Sequence, residues 1–452
     1  MMNMKKTDSL AFPDSESLKN IVADTLKMAQ QLGATQAEAG LSVSQGLSVA
    51  TRMRAVETIE HQQDNGLGIS VYLGQHKGSA NTSNLDPEAI RKTVEAACNI
   101  AKYTSEDPCA GLADADLMAT QMHDLDLFHP WEITPDAVIE LALECEAAAL
   151  DFDARITNSE GASVDMNAGM SIYGNSHGFL QAQHRTRHSI SCAVVGESNG
   201  NMQRDYWYDI SRNPDHLATA RSVGEKAAER TVKRLDARKL KTQQSPIMLV
   251  PDLARGLIGH FTSAISGSAQ YRKASFLLDA VETQVFPDFL QLVEHPFMPQ
   301  ALGSANYDGE GVALRPGALV TDGVIQNYLL DSYAARKLGL QTTGHASGVH
   351  NMEISNTGKS FVECLKTMHK GLLVTELMGH GVNNVTGDYS RGAAGFWVEN
   401  GEIQYPVEEI TIAANLRDMF MGIAEIGTDV DRRSNIFSGS ILIENMTIAG
   451  TD

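Results

Sequence analysis

The 452 residues carry 36 Lys and Arg against 56 Asp and Glu, a formal net charge of −20. A surface this acidic repels phosphate backbones and anionic lipid, which excludes broad nucleic-acid binding. Hydrophobic residues make up 42% and charged residues 20%, as in an ordinary globular chain. Nowhere do the ~18 consecutive apolar residues of a membrane span occur.

The N-terminal stretch MMNMKKTDSLAFPDSES has two lysines but no apolar core of signal-peptide length. The five cysteines, Cys98, Cys109, Cys145, Cys192 and Cys364, are odd in number and show no CxxC spacing. They read as the reduced, mostly buried thiols of a cytoplasmic protein. The first predicted helix runs from about Ser15 to Leu32, with Leu18, Ile21, Val22, Leu26, Ala29 and Leu32 at helical spacing. Asp14 or Ser15 caps it and Gly33 stops it. Ala39, Leu41 and Val43, then Leu47 and Val49, alternate as a strand. Asp64-Asn65-Gly66 reads as a turn, and Leu67, Ile69, Val71 and Leu73 resume the alternation, which predicts a hairpin. Asp86-Pro87 opens a second helix that ends near Tyr103, and Thr134-Pro135 opens a third that ends near Leu150.

From Arg155 to Val195 the pattern is β, punctuated by NSEG (158–161) and NSHG (175–178). A long polar helix is expected over about 214–240. The pattern then changes. The predicted boundary lies between 232 and 246, giving a mixed α/β domain over 1–240 and a glycine-rich, β-rich domain over 241–452. The second domain is expected to hold a buried helix near 252–266 and another near 361–370. The fold class is α+β.

Few motifs carry chemistry by themselves. GNSHG (174–178) matches the nucleophile elbow, but that motif requires a strand-to-helix turn. Strand-like FLQAQHRTRHSISCAVV follows it, so the tetrapeptide reads as a hairpin turn. HExxH is absent. His184 and His188 share a strand face, but Arg185 and Arg187 flank them, and the segment reads as a solvated basic strand. His345 and His350 lie in the loop GHASGVH, two histidines without a third ligand. His260 stands alone in the apolar helix RGLIGHFTSAI, without a carboxylate in the next turn to act as a base.

Larger stretches are more specific. MGHGVNNVTGDYSRGAAGFWVENGEIQYPVEEITIAANL (378–416) resembles the C-terminal signature of the TldD/PmbA, or modulator-of-gyrase, metallopeptidases, in their PmbA/TldE branch. YDGEGV (307–312), LVTDGVIQNYLLDSYAARKLGL (319–340), AKYTSEDPCAG (101–111), DLDLFHP (124–130), RITNSEG (155–161), YRKASFLLD (271–279) and RSNIFSGS (433–440) extend the likeness over nearly the whole chain.

The resemblance implies a cytoplasmic heterodimer that cleaves peptides and unfolded segments. Its TldD-like subunit holds zinc through an HExxxH helix and a late cysteine. With the first histidine on His260, the other motif positions are Phe261 and Ile265. Two residues back, they are Ile258, Gly259 and Ser263. Ser438-Gly439 stands where the cysteine is expected. A catalytic zinc takes three protein ligands and a water. The expectation is therefore no metal and no catalytic residue in this chain, with zinc in the TldD-like partner. The resemblance implies an extended peptide substrate along a chamber wall, for which the candidate residues are His260, His345, His350, Gly379, His380, Gly381, Asp388 and Arg391. Direct binding to nucleic acid or membrane is not expected. Two other readings remain: a homodimeric protein that binds peptides or small ligands without cleaving them, and an autonomous peptidase whose metal sits on loop histidines.

Overall fold

A computed structural model of the chain describes residues 14–451. Most of the stretch read for a signal sequence lies outside the described residues. The architecture is mixed, 25% helix and 40% strand. The chain divides into two compact units. One takes the residues up to Gly196 together with Arg204–Thr231 and Asn306–Ala313. The other takes Glu197–Gln203, Val232–Ala305 and everything from Leu314 on.

The first unit follows the order α1 (Ser15–Gln31), β1 (Gln36–Arg52), β2 (Ala55–Leu73), β3 (His76–Thr82), α2 (Pro87–Tyr103), α3 (Pro135–Leu150), β4 (Ile156–Asn175), β5 (Leu180–Ser198), β6 (Asn201–Ser211) and α4 (Ala220–Lys233). The helix starts follow from their caps. Asp14 accepts from the Ser17 amide at 3.1 Å, Thr134 accepts from the Ala137 amide at 3.3 Å, and Pro87 and Pro135 open their first turns. The strands form one sheet in the order β3-β2-β1-β4-β5-β6. Its inward residues Leu41, Val43, Leu67, Ile69, Val71, Met170 and Ile172 pack against Leu18, Val22 and Leu26 of α1 and Ile90, Val94 and Ala97 of α2. This is the period-2 stripe of the sheet meeting the period-3.6 stripes of two helices.

Three local expectations are corrected. Asp64-Asn65-Gly66 is no turn: β2 runs straight through it, with Asp64 opposite Ser44 and Gly66 opposite Ser42. The hairpin turns at Met53-Arg54, both left-handed at φ 50° and 65°. The fully buried Glu146 of α3 accepts both turn amides at 2.8 Å, so a distant carboxylate stabilises a turn the local sequence disfavours. NSEG is likewise not a turn but an irregular stretch inside β4, whereas NSHG does join β4 to β5, with Gly178 at φ 90°. The long helix over 214–240 is shorter. A single 3-10 turn at Pro214–His216 precedes an extended Leu217, α4 spans only Ala220–Lys233, and Asp236 turns left-handed at φ 61°.

The second unit contains β7 (Gln243–Leu249), α5 (Pro251–Ala264), α6 (Gly267–Tyr271), β8 (Leu292–Glu294), β9 (Gly317–Thr321), β10 (Val324–Ile325), α7 (Ser332–Leu338), β11 (Met352–Ile354) and α8 (Phe361–Met368). It continues with β12 (Gly371–Met378), β13 (Asp388–Glu399), β14 (Glu402–Asn415), α9 (Leu416–Met421), β15 (Ile423–Ile426), β16 (Ile436–Phe437) and β17 (Ile441–Ala449). One sheet runs β14-β13-β12-β7-β17-β15, and β14 also pairs with β17, so five strands close into a ring. A smaller sheet has the order β10-β9-β8-β11-β16. Alternation along β7 splits the packing. Ile247 and Leu249 join the main core with α5, while Met248 faces Cys364, Leu365 and Met368 of α8. A capping box between Ser360 and Glu363 starts α8. At Gly395 a Cβ atom would stand 1.9 Å from the Leu373 carbonyl oxygen, so only glycine lets β13 and β12 approach there.

Candidate functional site

The helix α5 presents two faces. Ala254, Leu257, Ile258, Phe261 and Ala264 are buried, and Phe261 meets Phe286 edge-on with ring centroids 4.9 Å apart. The opposite flank, Arg255, Gly256, Gly259, His260 and Ser263, is exposed or half-buried. This decides how the HExxxH pattern falls on the helix. Phe261 and Ile265 are both fully buried in the aromatic and aliphatic core, so the register that begins at His260 points its other members away from any groove. Ile258 is buried too, which removes the second register. The pattern fits the open flank when His260 is its last member, and its first two positions are then Arg255 and Gly256.

The surroundings of that flank fit a cation already supplied by the chain. An Arg255 nitrogen lies 3.8 Å from an Asp431 oxygen, and the Arg433 guanidinium donates to the same carboxylate at 2.9 and 3.0 Å. Burial alone would raise the Asp431 pKa, but the Arg433 hydrogen bonds and the two positive charges hold it below the usual carboxylate value. Asp431 pairs through its backbone with Ser438, at the position expected for a cysteine. Ser438 is buried, and its hydroxyl donates to the Gly439 carbonyl at 2.8 Å. Among the described residues no three His, Cys, Asp or Glu side chains gather closely enough to hold a metal ion.

His260 itself faces β13. Its ring meets Tyr389 edge-on, 6.0 Å between centroids, and Arg391 acts on it electrostatically. Tyr389 and Arg391 are two residues apart on a strand and so share a face. Burial, and secondly the Arg391 charge, hold the imidazole below its ordinary value of 6.5. The unfolded chain therefore takes up this proton first. The neutral ring leaves stability intact above pH 6.5, and stability is lost as the pH falls from there through the depressed folded value. A histidine-resolved NMR titration should show His260 titrating below 6.5, and Arg391→Met should move its midpoint upward. A midpoint above 6.5 in the native chain would contradict this environment.

The remaining candidates separate. Gly379 (φ 74°), the exposed His380 and Gly381 continue from the end of β12. A Cβ on Gly381 would lie 1.9 Å from the Ser390 carbonyl, which accounts for glycine there by sheet contact alone. Asp388 turns to the opposite face from Arg391 and accepts from Thr386 at 2.6 Å. His345 and His350 belong to a separate network. Nε2 of His345 donates to Glu294 at 2.6 Å, its Nδ1 meets the Thr343 hydroxyl at 2.8 Å, and the His350 amide donates to Glu294 at 2.7 Å. Both ring nitrogens of His345 are thus engaged within the chain. In the first unit His188 is buried against Trp131, with Nε2 2.9 Å from the His129 carbonyl, so the expected solvated strand face is corrected to a packed one. The residues missed by sequence reasoning are Tyr389, Glu294, Arg255 and Asp431. Only Tyr389 left a signal, the period of two that links it to Arg391.

Three family models for PmbA/TldA metallopeptidases match the chain, with domain 1 over 37–101, the central domain over 128–235 and the C-terminal domain over 242–450. The chain belongs to the PmbA/TldA metallopeptidase family. Within the family, metalloprotease PmbA of Escherichia coli O157:H7 is 50% identical over 438 residues, covering 96% of this chain and 97% of that protein. The metalloprotease PmbA homolog of Haemophilus influenzae is 47% identical over the full length of both. A crystal structure of a Bacteroides thetaiotaomicron protein described as a modulator of DNA gyrase superposes with a TM-score of 0.92 at 26% identity. It covers 97% of this chain and 100% of its own. Among the described residues no helix is long and apolar enough to cross a membrane. All five cysteines are free thiols, four of them buried.

Proposed function

We propose that this chain is the PmbA/TldE-type subunit of a heterodimeric metallopeptidase that cleaves peptides and unfolded segments in the cytoplasm, and that zinc, the activated water and the general base come from a TldD-like partner. The observation that carries the reading is the Arg255–Asp431–Arg433 cluster on the open flank of α5. A guanidinium cannot ligate a metal, and its charge repels a dication. Gly256 offers no base, and Ser438 offers a hydroxyl already committed to a carbonyl. The residues present do not fit a catalytic zinc, so no step of hydrolysis is assigned to them. Their part is to hold an extended peptide beside the partner's metal. The exposed stretch from Met378 to Gly381, at the end of β12, is the place along which such a peptide would lie.

The test is reconstitution. Mixed with a TldD-like chain that carries an intact HExxxH, this chain should support zinc-dependent cleavage of an unstructured peptide, while alone it should cleave nothing and bind no stoichiometric zinc. Cleavage by the isolated chain at the rate of the mixture would overturn the reading. Stoichiometric peptide binding without cleavage in the mixture would replace it with a non-enzymatic homodimeric binding protein.

A further inference from the structure

Among the described residues Arg391 has no acidic partner. It faces the α5 side of β13, together with Tyr389 and opposite His260. Among the described residues its guanidinium reaches the Leu377 carbonyl, at 3.4 Å, and the Tyr389 hydroxyl. Its Nε is buried without an acceptor. The nearest acid along the strand, Asp388, points to the other face and is held by Thr386 and Asn415. His260 supplies no countercharge, because an imidazole is neutral or cationic and never anionic. A half-buried cation with unused donors is costly unless an anion completes it. Across the chain the balance is −20, which makes an arginine left without an acid here a placed feature rather than a surplus of charge.

We infer that Arg391, with Tyr389 and His260 beside it, is a binding site for a single carboxylate of a peptide ligand. One guanidinium offers two parallel N–H groups, which match the two coplanar oxygens of a carboxylate. The single charge of a carboxylate matches the one guanidinium, whereas a phosphate dianion would leave one charge unmatched by it. Leu377 lies opposite Ala393 and so shares the Arg391 face, where its half-buried side chain is an apolar neighbour of the guanidinium. Arg391 is a binding and orienting residue here, not a catalytic one. The inference rests on the peptide-holding reading above for the class of ligand, but it concerns binding alone.

The experiment uses the full chain without a partner and three N-acetylated tetrapeptides of alanine and leucine. One has a free C-terminal carboxylate, one is amidated, and one is amidated with an internal aspartate. Calorimetry should show binding of the free acid, or of the aspartate peptide, about ten- to a hundredfold tighter than the plain amide. Which acidic peptide binds tells a C-terminus from a side chain as the source. The His260 imidazole signals should shift on binding. Arg391→Met should erase the difference between acid and amide, and Arg391→Lys should restore part of it, because a point charge replaces the fork. Equal binding of all three peptides, or no binding of either acid, overturns the inference, and the native chain alone gives that answer. Failure of reconstituted cleavage leaves these readings unmoved, so the two proposals fall separately.

Discussion

Phe261→Ala should destabilise the second unit by about 3–5 kcal/mol, the usual cost of deleting a buried aromatic ring. The ring is completely buried. It stands edge-on to Phe286 at 4.9 Å and to Phe420 at 6.1 Å, and Phe420 in turn packs on Phe276. Removing it empties the point where α5, α9 and the loop around Phe286 meet, and its two aromatic partners, Phe286 and Phe420, cannot both collapse into the space. Chemical unfolding, followed by the near-UV signal of these aromatics, reads the effect as a lower midpoint at unchanged slope. A loss below about 1 kcal/mol would mean that the α5 core is not packed as described. The same position tests which flank of α5 is buried. If Phe261 faced a groove, alanine there would be nearly silent.

The second large effect is expected at Glu294. Its side chain is 7% exposed and holds two donors, the His345 Nε2 at 2.6 Å and the His350 amide at 2.7 Å. It joins β8 to the loop over 343–350. Alanine would strand a buried imidazole and a buried amide, a loss of about 3–5 kcal/mol as for a broken buried pair. Glutamine keeps one acceptor and should lose less. Thermal melts of Glu294→Ala and Glu294→Gln rank the two. If instead His345 and His350 served to bind ligand, Glu294→Ala would leave the melt nearly unchanged and weaken peptide binding, which is the reverse of the expected pattern.

Much of the fold was legible in the sequence, for local reasons. The helices that begin at Ser15, Pro87, Pro135, Pro251 and Phe361 carry their own caps or first-turn prolines, and their stripes repeat at helical spacing. Strand alternation from Ala39 to Val43 and from Leu67 to Val71 survives intact in the sheet. The hairpin turn between them did not. Asp64-Asn65-Gly66 has favourable turn chemistry, yet Met53 and Arg54 take the left-handed angles because Glu146, some ninety residues away in sequence, accepts their amides. A local propensity worth about a kilocalorie yields to two charge-assisted hydrogen bonds.

The candidate site shows the same division. Family membership and the departure of α5 from HExxxH were fixed by residue identity. Which register that departure follows depended on which flank of α5 is buried, and only packing sets that: Phe261 and Ile265 lie in the core, Arg255 and His260 on the open side. Likewise, eight scattered histidines, glycines and charged residues could be named along the chain. The fold placed His260 with Arg391 and Tyr389, and put His345 and His350 around Glu294 instead. Sequence alone determined the family, the secondary-structure framework and the types of side chain available, because caps, periodicity and motif identities act over a few residues. The tertiary structure decided the turn of the long hairpin, the face of α5 and the pairing of every charged group near it. Those depend on distances between residues far apart in the chain, where burial makes each unpaired polar group costly.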